Sequence, residues 1–181
     1  MSLQELNKRT TSNSDESVQE GPFLPALLLK KVVLHITEIG NNLQMNLHRK
    51  LAFMCEGKCI EEGIMRPGSI KVIQYTAGQV HTDRLIFHVT FQCSVCRPVE
   101  GMHLNCVIRT ITKAGIHADV VDPETKIVPI TVFVARDYKP QTLHPQFNTA
   151  REGHTITVIV YGVTYEIHDQ CISVLAAFTD V

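Results

Sequence analysis

Across 181 residues, 17 Lys and Arg meet 18 Asp and Glu, leaving a net charge of −1. Bulk basicity therefore does not mark a nucleic-acid binder, and any cationic face must come from position. With 44% apolar residues, 19% charged and no Trp, the composition is that of a globular chain, and no apolar run reaches the ~20 residues of a membrane span.

Residues 1–26 begin with "MSLQELNKRTTSNSDESVQEGP", rich in Ser, Thr, Asn and Glu, which cannot bury enough apolar surface to offset ordering entropy. They are expected to form a disordered arm. No signal-peptide core is present in it, so an intracellular chain with its six Cys reduced is expected. "LLLKKVVLHIT", residues 27–37, is a β-branched apolar run and reads as a strand. The period then changes. Leu43, Leu47, Leu51 and Met54 share one helical face, with Asn41 or Asn42 as N-cap and Gly57 closing the helix or lying just beyond it.

"KCIEEGIMRPGSIKVIQYTAG" reads as two short strands broken near Gly63 and at Pro67–Gly68. "RLIFHVTFQCSVC" alternates, with Leu85, Phe87, Val89, Phe91, Cys93 and Val95 on one face. The first unit, residues 27–97, is thus strand, helix and three strands: an α+β domain with one packed helix. The second, residues 98–181, holds five strands. They run from Met102, through 116–120, through "IVPITVFVAR", and through the two C-terminal runs "HTITVIVYGVTYE" and "DQCISVLAAFTD". A long loop with two Pro separates the third from the fourth. Five strands with an insertion there suit an OB-type Greek-key barrel.

Cys93-x-x-Cys96 with Cys55 and Cys59 invites a zinc site. In a strand, however, residues three apart point to opposite faces, so core thiols are expected and no metal. No nucleophile elbow, phosphate loop or HExxH is present, so neither catalysis nor a cofactor is expected.

"RPVEGMHLNCVIRTITKAGIHADV" resembles the opening of the S1-type OB domain of the stalk subunit of multisubunit RNA polymerases, the seventh subunit of eukaryotic RNA polymerase II and the archaeal E-prime subunit. "KKVVLHITEIGNNLQMNLHRKLAFMCEGKC" is similar to that family's first strand, helix and Glu-Gly-x-Cys strand, here Glu56, Gly57 and Cys59. "HTITVIVYGVTYEIHDQCISVLAAFTD" resembles its last two barrel strands, and "VEGM" and "ITKAGI" are similar to versions in large DNA viruses. The likeness runs collinearly over residues 28–180. The chain departs from it in the short "EEGIMRPGSI" and the extra N-terminal arm.

The resemblance implies a non-catalytic subunit of a DNA-directed RNA polymerase that supports initiation. Its partners would be the core subunits, a fourth-subunit-like stalk companion and nascent single-stranded RNA, with no membrane. Its place would be the nucleus of a cell, or the virion and cytoplasmic factory of a virus. It also implies docking through the tip of the first domain, matched here by the Gly63–Ser69 loop with Ile64, Met65, Arg66 and Pro67. An OB barrel offers its second and third strands to single strands, using cations and aromatic planes. That points to Arg109, Lys113, His117, Phe133, Arg136, Tyr138 and Lys139. The rival reading is a free-standing S1-type RNA-binding protein of translation or RNA decay.

Overall fold

The computed structural model describes residues 21–136 and 146–179. Strand β1 (Leu24–His35) leads through a 3-10 turn to helix α1 (Leu43–Cys55). Then come β2 (Cys59–Ile60), β3 (Gly63–Met65), β4 (Lys71–Tyr75), β5 (Gln79–His81) and β6 (Arg84–Cys96). β6 is the spine. It pairs with β1 antiparallel along its whole length on one side, and with β5, β4 and β3 in turn on the other.

The alternation read in β6 holds: Phe87, Val89, Phe91, Cys93 and Val95 are buried beneath α1, with Val32 and Leu34 of β1. Helix α1 supplies Leu47, Leu51 and Cys55 to that core, each leucine worth roughly 1.5–3 kcal/mol of apolar burial. Met54, expected on the buried face, is 37% exposed, and Cys55 takes its place one residue on. Asn42 occupies the N-cap without a side-chain bond to the helix. Gly57, at φ +67°, lies just beyond the C-cap.

Two further expectations change. β1 begins at Leu24 rather than at Leu27, and Phe23 is already buried, so the residues next to β1 are not part of a free arm; residues 1–20 lie outside those described. Five strands follow α1 instead of three. β2, β3 and β5 are each three residues or fewer, too short for periodicity to reveal them.

The second unit comprises β7 (His103–Ile111), β8 (Gly115–Val120), β9 (Ile130–Ala135), the short α2 (Gln146–Thr149), β10 (Thr155–Thr164) and β11 (Ile172–Phe178). They close into a five-stranded barrel ordered β7-β8-β9-β11-β10, with β9 and β11 parallel and every other pair antiparallel. That closed order suits an OB-type barrel. Ile108, Ile116, Val132, Val134, Val158 and Ile172 are among the residues that fill it.

The two units share a wall. Cys59, Ile64 and Cys96 stand in register across β2, β3 and β6, and all three pack into the barrel's core. Cys93 lies in the other core, beneath α1. The odd offset between Cys93 and Cys96 thus sends the two thiols to opposite sides, as strand geometry requires. Burial pushes the Cys93 thiol up to about 11 and the Cys96 thiol to about 12.

Candidate nucleic-acid interface

The outer surface of β7, β8 and β9 carries three of the residues singled out for RNA: Arg109, His117 and Phe133. Along β8, Ile116 and Ala118 turn inward, so His117 and Asp119 turn outward. On β9, Val132 and Val134 turn inward and Phe133 outward. His117 and Phe133 are register partners, and their rings lie 4.8 Å apart at 42°. Both are half-buried, leaving one side of the pair open to solvent.

Gly115 makes room for this pair. A Cβ there would come within 3.0 Å of the Phe133 ring and 2.2 Å of the Val134 carbonyl oxygen. Phe133 therefore lies over bare backbone at the start of β8. The row continues onto β11 through Leu175, the partner of Phe133, and onto β7 through Thr110, the partner of His117.

Arg109 sits at a register shift in β7, between Ile108 and Thr110. Such a bulge puts two consecutive residues on one face, and both Arg109 and Thr110 are exposed. The Arg109 guanidinium lies 3.4 Å from the Asp119 carboxylate, which keeps the cation on this face. Lys113 is exposed in the β7–β8 turn and forms no ion pair among the described residues. Thr112 closes that turn by donating its hydroxyl to the Gly115 carbonyl. Arg136 follows β9 with its guanidinium 5.6 Å from the centre of the Phe147 ring on α2. Tyr138 and Lys139 lie outside the described residues.

Four of the predicted RNA-binding residues and Phe133 thus share one side of the barrel or its rim. Asp119, which was not among the predicted residues, belongs with them. The same alternation that points His117 outward would have found it.

The docking loop turns out differently. Ile64 and Met65 were expected to be exposed at a tip; they are 1% and 0% exposed. They form β3, held between β2 and β6, with Ile64 in the barrel core and Met65 beneath α1. Arg66 is not free either. Its Nη2 donates to Asp122 Oδ1 at 2.7 Å and its Nη1 to Glu124 Oε2 at 2.5 Å, while its guanidinium stacks 4.8 Å from the centre of the Phe23 ring. Only Pro67 of the four is exposed. The segment is the joint between sheet and barrel.

Asp122 is fully buried at this joint. Burial alone would push its carboxyl up. The backbone N–H and hydroxyl of Thr125, donating at 3.1 and 2.5 Å, together with Arg66, outweigh that and hold it below the usual carboxylate range. A second seam runs from Cys59 to the β10–β11 turn: Cys59 N–H donates to the Asp169 carbonyl at 2.7 Å, and His168 N–H to the Cys59 carbonyl at 2.9 Å.

No family model matches the chain. Among characterised proteins it is 27% identical, over 68% of its own length and 68% of theirs, to DNA-directed RNA polymerase II subunit 7 of Arabidopsis thaliana and to subunit RPB7 of Glycine max. The resemblance is to polymerase stalk subunits. A chain of Acanthamoeba polyphaga mimivirus, named for a DNA-directed RNA polymerase subunit, is 20% identical over 90% of this chain and 85% of its own. The likeness therefore reaches both cellular seventh subunits and a viral version. No helix among the described residues is long and apolar enough to cross a membrane.

Proposed function

We propose that this chain is a non-catalytic stalk subunit of a DNA-directed RNA polymerase, attached through its sheet domain and presenting its barrel to nascent single-stranded RNA. One observation carries the reading: a closed barrel in OB order bears an outward aromatic pair flanked by cations, in a chain similar to the seventh subunit of RNA polymerase II. Its work is attachment and positioning, in support of initiation. Core polymerase subunits and a fourth-subunit-like companion are its partners, in a nucleus or a viral factory. Ile64 and Met65, being interior, take no part in attachment.

Affinity purification of the tagged chain from its native source is expected to bring down the large catalytic subunits. A chain recovered without them, yet binding RNA tightly alone, would instead indicate a free-standing S1-type protein.

The RNA face has its own test. Replacing both His117 and Phe133 by Ala is expected to remove about 1–3 kcal/mol of single-strand binding, the worth of a stacked base. Polymerase assembly should be unchanged. Lys113→Glu with Arg136→Glu should flatten the dependence of log K on log salt by roughly 0.7 for each phosphate that is no longer neutralised. Equal crosslinking of RNA to wild type and to both variants would remove the barrel face from the reading.

A further inference from the structure

β1 has one paired edge and one open edge: among the described residues it pairs with β6 alone. An open edge presents backbone N–H and C=O groups ready to pair with another strand, and proteins usually guard it with charge, proline or a covering element. Here the guard is limited to Pro25 and the exposed Lys31. Pro25 stands at one end of the strand, and three large apolar side chains follow or flank it in the open: Leu24 is 57% exposed, Leu27 66% and Leu29 61%.

The faces can be assigned from register. Val32 and Leu34 point beneath α1, so Leu27, Leu29 and Lys31 point to the other side of the sheet, beside Gln92, Thr90 and His88 of β6. Lys31 is exposed and forms no ion pair among the described residues. Its neighbour Lys30, on the opposite face, is neutralised by Glu62 at 3.0 Å. The bare face along this edge therefore reads apolar, apolar, cationic at alternate residues.

We propose that the open edge of β1 receives an extended segment of a second polypeptide by strand addition. The occupant is defined by complementarity. It carries an acidic residue opposite Lys31 and apolar residues opposite Leu29 and Leu27. Antiparallel pairing is the more stable per residue, so the partner reads acidic-x-apolar-x-apolar from its N-terminal end. Backbone bonds supply affinity, and the alternate side chains supply register and selectivity. The edge is a property of the sheet and stands whatever machine the chain serves.

The test uses the full chain and a fluorescent synthetic peptide, STETLTLTS. Saturable binding is expected, with slowed hydrogen exchange confined to β1 amides. Leu27→Glu with Leu29→Glu should weaken binding at least tenfold. Lys31→Glu should weaken it several-fold, and the peptide STKTLTLTS should restore affinity to that variant alone. The reversed peptide STLTLTETS should bind more weakly, because it matches Lys31 only in parallel pairing. Absence of saturable binding, unchanged affinity in the double-leucine variant, or failure of the charge swap would overturn the proposal. So would sedimentation showing that the free chain dimerises through β1, which would make a second copy the occupant.

Discussion

Arg66→Ala is expected to cost about 3–5 kcal/mol of unfolding free energy at pH 7, the usual penalty for removing one partner of a buried ion pair. The guanidinium is the only cation bonded to the fully buried Asp122 among the described residues, and it reaches Glu124 and the Phe23 ring as well. The pH dependence separates charge from packing. The Asp122 carboxyl is held below its unfolded value. Its contribution is therefore present above the unfolded carboxylate range, near 3.9, and is lost as pH falls through the lower folded value. The deficit of the variant should be widest above about pH 5 and shrink toward pH 3, because an Asp122 that has lost its cation takes up a proton more readily than the paired one. Urea unfolding at both pH values reads this directly. An equal deficit at both would mean that Arg66 acts through its stacking on Phe23.

Met65→Asp is the second large effect. The side chain is wholly buried beneath α1, and its backbone accepts from Gly57 N–H at 2.9 Å. A carboxylate there loses the methionine packing, itself worth about 2–5 kcal/mol. It must also desolvate or take up a proton. Together these approach the whole margin of about 5–15 kcal/mol that holds a typical domain folded. Circular dichroism and gel filtration should find an unfolded or aggregated chain, whereas Met65→Leu, which conserves volume, should cost under about 1.5 kcal/mol. A folded Met65→Asp chain that merely fails to join a polymerase would return this segment to the role of a docking tip.

These two residues mark where the sequence was legible and where it was not. Long elements were plain: the thirteen residues of β6 and of α1 carry enough period to fix their buried faces, apart from the one-residue choice between Met54 and Cys55. The five barrel strands were visible for the same reason, and with them the outward positions His117 and Arg109. β3 has three residues and adjoins an Arg-Pro-Gly turn, so Ile64 and Met65 read as loop. Local pattern holds no record of a partner strand that arrives about thirty residues later. The Arg66–Asp122 pair spans 56 positions and exists only because the barrel folds back on the sheet. Asp122 was not singled out in the sequence: its bonds to Thr125 are local, but nothing nearby in the chain announces the guanidinium that completes the site.

The row of Cys59, Ile64 and Cys96 has a mechanical consequence. Three strands of the sheet act as part of the cylinder's lid, so neither half owns a complete interior. Cutting the chain near residue 97 would leave both pieces with an open wound. One strand serves both interiors, since β6 sends Cys93 beneath α1 and Cys96 into the cylinder.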